Sequence, residues 1–309
     1  MKIAALMLAL SMGQLSDPYV RSRVEQGDLS TQCLFWTVPK ITWHQSAAGN
    51  PLTKPSGSEF EAVRKSFQSW QAVFANCGNL TFEEGGQVID PTVGYDQTGG
   101  VNRNVVLFRT QRCSRVAPAT DACWKDDDCN NKYDCWDHND SGTTIAITLT
   151  TYDERSGIIY DSDIELNAYS ALNTGGFFFT TADGGPPCDP PDVTENCLAT
   201  DLQNTMTHEI GHLVGLDHTT APGSTMNATA PSGQLSKRVI DSGSRDFVCT
   251  NYPRAQASKA CIPPLAVDDT LGREGSAVAC ASAGAEAWLP ALAGWALLLA
   301  ARRRRGARG

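Results

Sequence analysis

Apolar positions along the chain change period several times, and each change predicts an element. Large residues alternate in "CLFWTVPKITWHQ", 33–45, which predicts the first folded element as a strand. From Ser56 or Ser58 the period lengthens. Phe60, Val63, Phe67 and Trp70 form the apolar face of a helix, with Glu59 and Glu61 as reciprocal capping partners at its start. "NLTFEE" and "NVVLFRT" return to strand patterns. In "TTIAITLTTYD" the residues Ile145, Ile147 and Leu149 alternate with Ala146, Thr148 and Thr150, as in a half-exposed strand. The next run, "GIIYDSDIELNA", places Asp161, Asp163 and Glu165 on one face of a strand. Such a face is either solvated or bridged by a hard cation, for which calcium with its preference for oxygen is the candidate. A second helix follows from Leu202, Met206, Ile210 and Leu213, with Thr200 or Asp201 to cap its start and Gly215 to end it in a left-handed turn.

That second helix carries the chemistry, because "HEIGHLVGLDH" places three of the five histidines within residues 208–218. A two-residue offset rotates a helical side chain by about 200°, so His208 faces away from Ile210 and from the core. His208 and His212 lie one turn apart and can offer two nitrogens to one ion. The turn at Gly215 swings His218 round as a third ligand. Three protein ligands leave one tetrahedral position open, the mark of a catalytic zinc rather than a closed structural one. Glu209 completes the set as a carboxylate base for a zinc-activated water that attacks a carbonyl carbon.

The spacing H-E-x-x-H-x-x-G-x-x-H resembles the zinc motif of the metzincin metalloproteases. That resemblance implies a methionine turn beneath the metal, and "APGSTMNATA" supplies Met226 eight residues after His218. The gap is similar to that of matrixin-type members, although Thr219 stands where matrixins usually have serine. The fold implied is α/β (α+β), a twisted mixed sheet with a long helix and an active-site helix. Residues 30–263 are expected to form this domain, with "TTIAITLTTYD" as the edge strand that pairs with an extended substrate and residues around Met226 to Lys237 as the wall of the specificity pocket. Matrixins also bind structural calcium near the strand that corresponds to Asp161, Asp163 and Glu165. Only His44 and His138 lie outside the zinc motif, too few to rebuild the histidine-rich structural zinc site of matrixins.

Cysteine usage points to export. Ten of the eleven cysteines fall between Cys33 and Cys261, an even number without paired C-x-x-C spacing, so disulfides in an oxidising compartment are expected. Cys188 with Cys197, and Cys249 with Cys261, are the easiest pairs; Cys113, Cys123, Cys129 and Cys135 crowd one loop. "MKIAALMLALSMG", 1–13, resembles a secretory signal. At the other end a linker, 264–280, leads to Cys280, then a short apolar run and Arg302 to Arg305 within 281–309. This tail resembles the tripartite sorting tag of myxobacterial surface proteins, which implies a sorting protease as partner and cleavage or lipidation at Cys280. Its alternative is a plain membrane anchor. The formal net charge is −9, and the tail after Cys280 holds five arginines and one glutamate, so the chain without it would carry −13. Such an acidic domain argues against a nucleic-acid partner. The reading is therefore a secreted or cell-surface zinc metalloendopeptidase, a monomer acting on proteins or peptides and reaching the surface through a transient inner-membrane-anchored precursor. Its rival is a cell-surface binding or adhesion module that keeps the fold with little general proteolysis.

Overall fold

The computed structural model describes residues 17–138 and 143–262. The first elements are β1 (Val20–Arg21), β2 (Lys40–Gln45), α1 (Glu59–Cys77), β3 (Thr81–Glu84) and β4 (Asn104–Arg109). Three short helices follow, α2 (Cys113–Val116), α3 (Cys123–Asp126) and α4 (Cys129–Tyr133). The chain continues through β5 (Ala146–Tyr152), β6 (Ile159–Asn167), β7 (Phe179–Thr180), β8 (Thr200–Asp201), α5 (Leu202–Leu213), β9 (Leu216–Asp217) and α6 (Ser242–Asn251). Five strands make one mixed sheet in the order β3-β2-β4-β6-β5. All its pairings are parallel except that of β5, which lies antiparallel to β6 at the edge. The α/β fold expected from the sequence is present, including the long helix, the second helix and the exposed edge strand.

The core lies between this sheet and α1 with α5. Helix α1 buries Val63, Phe67, Trp70 and Phe74, and the Phe67 ring stacks on Trp43 of β2 with centroids 4.0 Å apart. Its N-terminus departs from the expected capping box: the Ser58 hydroxyl donates to Pro55 O, and the buried Glu59 carboxylate accepts Asn50 N–H at 3.3 Å. Both side chains are used to tie the preceding loop to the helix. Helix α5 has 12 residues, a length that is marginal in isolation. Burial of Leu202, Met206, Ile210 and Leu213, each worth about 1.5–3 kcal/mol, holds it in place.

The acidic face of β6 is where the sequence expectation needs correction. Asp161, Asp163 and Glu165 do share one face, but they are 2%, 0% and 0% exposed, so the face is buried rather than solvated. Residues 93–94 and α4 cover it. Gly94 N–H and Val105 N–H donate to the two oxygens of Asp163, at 2.6 and 2.9 Å. Glu165 forms a buried ion pair with Arg109, which also meets Asp134 at 2.8 Å, and His138 approaches Glu165 at 3.6 Å. Burial alone would raise the Glu165 carboxyl, but the His138 and Arg109 contacts outweigh it and hold the group ionised. Glu165 is thus neutralised by protein cations. Asp161 and Asp163 have no cationic partner among the described residues, and burial raises both, with the negative charge of Asp161 pushing Asp163 further.

Five disulfides pair all ten cysteines from Cys33 to Cys261. Cys188–Cys197 forms as expected, and the crowded four pair as Cys113–Cys135 and Cys123–Cys129. Cys249–Cys261 does not form. Helix α6 packs beside α1, so Cys249 meets Cys77 at the end of α1; the chain then reverses, Arg254 N–H donating to Cys77 O, and carries Cys261 to Cys33. These two bridges close loops of 228 and 172 residues, the spans over which a cross-link restricts the unfolded chain most. Among the described residues no helix is long and apolar enough to cross a membrane. The signal-like segment 1–13 and the segment 264–309 with Cys280 lie outside the described residues.

The Asp161–Asp163 pair sets a pH dependence. Both folded pKa values are raised, so the native state binds the proton more tightly than the unfolded chain, and this stability is full below about pH 4 and lost as pH rises. The expected loss is up to about 1.4 kcal/mol per pH unit for each carboxyl still protonated in the calcium-free folded protein, and Asp163→Asn should flatten it. Thermal unfolding of both proteins from pH 4 to 9 reads the difference. Equal slopes would contradict the buried pair, and restoration by millimolar calcium at high pH would identify the pair as a cation site.

Candidate active site

Helix α5 is fixed at both ends. Asp201 is its N-cap, accepting Asn204 N–H at 2.7 Å, and Arg238 Nε donates to the same carboxylate oxygen at 2.8 Å. At the other end two carbonyls left free by the helix find side-chain donors: Trp36 Nε1–H reaches Leu213 O at 2.7 Å and Tyr252 O–H reaches Val214 O at 2.8 Å. Gly215 then turns the chain with φ +96°, and a Cβ there would lie 2.4 Å from Leu34 O. Only glycine fits this reversal without strain. The reversal leads into β9, which pairs antiparallel with β1, Val20 opposite Asp217. The first strand thus precedes the one read from Cys33 onward, and it braces the chain that carries His218.

The three histidines converge as the spacing implies. Their Nε2 atoms lie 3.2 Å (His208–His218), 3.2 Å (His212–His218) and 3.3 Å (His208–His212) apart. His208 Nδ1 faces Thr225 O at 2.7 Å and His212 Nδ1 faces Leu216 O at 2.8 Å. A ring nitrogen against a carbonyl must carry the proton, so both Nε2 atoms present lone pairs to the common point. Burial lowers the basicity of all three rings, His208 most, which keeps them neutral and able to ligate. Tetrahedral zinc with Zn–N of about 2.0–2.1 Å sets its nitrogens about 3.3 Å apart. The donor set fits zinc in chemistry and spacing. Among the described residues this is the one group of three or more potential ligand side chains that gathers in this way, so Asp161, Asp163 and Glu165 do not form another.

Glu209 faces the same cleft, which has a volume of about 1190 Å³. Its Oε2 accepts the Thr148 hydroxyl at 2.7 Å. Thr148 pairs with Ile164 across the sheet, so the small residues of β5 turn toward α5 and let the helix approach the edge strand. Burial pushes the Glu209 carboxyl up to about 7, against the Thr148 hydrogen bond and the nearby His218 and Lys237. A carboxyl raised into this range suits proton transfer near neutral pH.

The model of one protein family, Matrixin, matches residues 124–244. The match covers less than half of the chain and supports a likeness to the matrixin-type metzincins. The matched stretch holds β5, β6, α5, all three histidines and Met226, and the family it resembles is one of zinc metalloproteases. No curated protein matches the chain.

In this matrixin-like site Met226 is fully buried, and its Sδ packs so closely on Gly211 that a Cβ there would lie 2.3 Å away. Gly211 sits between Ile210 and His212, so the methionine supports the helix directly under the ligand pair. Met226 O accepts Thr219 N–H at 3.1 Å, which closes the loop from His218 back to the methionine. The Thr219 hydroxyl donates to Asp17 O at 2.8 Å. Two participants were not singled out by the sequence pattern: Thr148 as donor to Glu209 and Thr225 as orienting carbonyl for His208, whereas Lys237 lines the cleft at the end of the stretch expected as its wall. The hydroxyl and the carbonyl act through tertiary contacts that no motif encodes.

Gly215→Ala tests the reversal that delivers His218. Strain at positive φ and the clash with Leu34 O should cost about 1–3 kcal/mol and weaken zinc retention under competition by a chelator. Unchanged melting and unchanged zinc retention would show that this turn does not position the ligand.

Proposed function

We propose that the chain is an exported zinc endopeptidase in which His208, His212 and His218 hold the metal and Glu209 is the proton carrier. The observation that carries this reading is the inward set of imidazole nitrogens beside a buried, hydrogen-bonded glutamate in a cleft bordered by an edge strand. Zinc, when bound, supplies Lewis acidity toward water and toward the carbonyl of the scissile bond. The free side of β5 pairs with the backbone of an extended protein or peptide substrate, an interaction that orients the chain with little demand on its sequence. Glu209 takes a proton from the attacking water and returns it to the leaving amine, while the Thr148 hydroxyl holds the carboxylate in position. The polypeptide product of this chemistry is a new carboxylate and a new amine.

Export is supported by five disulfides that pair ten cysteines, a state that persists in oxidising compartments. Surface display after removal of the C-terminal tag by a sorting protease follows from Cys280, the apolar run and the arginine cluster. A mature terminus at or near Cys280, read from the C-terminal peptide mass of surface protein, is the expected result; intact "RRRRGARG" on surface protein would oppose it. The rival reading, a binding or adhesion module, gives no role to a glutamate placed beside the ligand cluster.

Glu209→Gln should keep one zinc per chain, since the ligands remain, and lower peptide hydrolysis by at least about 100-fold. His212→Ala should lose the metal itself. Elemental analysis with a quenched-peptide assay separates the two, and near-normal turnover in zinc-loaded Glu209→Gln would overturn the assigned role.

A further inference from the structure

One cation in the cleft has no role in holding metal. Lys237 lies in a short turn, Ser236–Arg238, and is 3% exposed. Its backbone N–H donates to Asn204 Oδ1 at 2.9 Å, and its ammonium donates to Asn227 O. An ammonium has three N–H groups, so this carbonyl satisfies only part of it. No ion pair among the described residues includes Lys237. The adjacent Arg238 is the contrast, because it is committed to Asp201 and Asp183. Glu209 acts on the ammonium from a distance but forms no ion pair with it, and a buried charge without a counter-ion in contact is costly, a cost that is offset when a ligand brings the opposite charge.

The surroundings show which charge that is. Among the described residues that line the cleft Lys237 is the one lysine or arginine, and the wall that precedes it in the chain, Ala228, Thr229, Ala230 and Pro231, is small and uncharged. Burial lowers its ammonium to about 8, which leaves it mainly cationic at neutral pH. Asn204, which anchors its backbone, lies on α5 one turn before His208, and Thr205 of the same turn also lines the cleft. The backbone of Lys237 is thus held beside the first turn of α5, whereas His218 follows the turn at the other end of that helix. Glu209 must reach the leaving amine, so the substrate residue that carries this amine lies beside Glu209, in the cleft that Lys237 also lines and where each of the two charges acts on the other.

We propose that Lys237 determines specificity by binding a carboxylate on the residue that follows the scissile bond. The carboxylate is either an acidic side chain or, where that residue ends the chain, its terminal carboxyl group. This assignment rests on the peptidase reading and names the substrate class of that site. It also accounts for a wall of small side chains in the same cleft, which leaves room for a carboxylate to approach.

The test uses the zinc-loaded full-length protein and quenched peptides that differ only at the residue after the cleaved bond: Glu, Asp, Gln or Leu, with the chain continuing beyond it. A second pair ends at that residue, as free acid or as amide. At least a 10-fold higher kcat/KM is expected for the acidic side chain or for the free acid, and the arm that shows it names the source of the carboxylate. Lys237→Met should abolish the preference and Lys237→Arg should retain it, with zinc content and melting confirming each variant; Lys237→Gln replaces Lys237→Met should the latter not fold. In parallel, fluorescence anisotropy compares binding of labelled product peptides beginning with Glu or Gln, each with a free or an amidated C-terminus. Equal rates for all peptides, or a preference that survives loss of the ammonium, would overturn the proposal while leaving the peptidase reading intact. Lys237-dependent selective binding of carboxylate peptides without hydrolysis would sustain the carboxylate site and overturn the peptidase reading instead.

Discussion

The rotational and axial setting of α5 is the constraint on which the site depends. The Nε2 atoms of His208 and His212 must each meet that of His218 at 3.2 Å and one another at 3.3 Å, and one helical position of error rotates a side chain by about 100°. Four buried apolar residues set the rotation. Asp201 fixes the first turn and Trp36 and Tyr252 hold the last carbonyls, so the helix can neither fray nor slide without leaving polar groups unpaired in the core. The methionine beneath Gly211 and the carbonyls of Thr225 and Leu216 then choose the ring orientation and tautomer. Metal affinity in such a site is built by the protein before the metal arrives.

Buried charge is distributed in two ways. Under the sheet, Glu165 is neutralised by Arg109 and His138, an arrangement that joins β4, β6 and the loop around α4. In the cleft, Glu209 and Lys237 are each held by a neutral hydrogen-bonding group, a threonine hydroxyl and a backbone carbonyl, and not by an ionic partner in contact. The first arrangement cross-links the fold. The second leaves both charges able to act on whatever enters, the carboxylate on a proton and the ammonium on an anion. The same contrast between adjacent residues, Arg238 paired and Lys237 not, separates structure from recognition.

Local patterns predicted what local forces decide. The apolar stripe of α5, the histidine spacing and the turn at Gly215 each depend on a few neighbouring residues, and each appears in the structure; β5 forms as a half-exposed strand, but all seven of its residues are partly buried and its burial does not alternate. The misses depend on contacts distant in sequence. Cys249 chose Cys77 over Cys261 because α6 docks on α1, a contact that spans 172 residues. Asp161, Asp163 and Glu165 were legible as one face, but the cover supplied by residues 93–94 and α4 was not. Ser58 and Glu61 have the spacing of a capping box, yet the Ser58 hydroxyl donates to the loop before α1 and Glu61 accepts from Arg64. Lys237 gave no sequence signal beyond its place after the methionine, since an unpaired lysine is recognisable only once its surroundings are known.

X-ray absorption at the zinc edge of the loaded, substrate-free protein measures the central claim, a preassembled three-histidine site with one position open. The account predicts one zinc per chain with three imidazole nitrogens at about 2.0–2.1 Å and one light, exchangeable oxygen ligand. A sulfur shell, or a fourth imidazole closing the site, would contradict it.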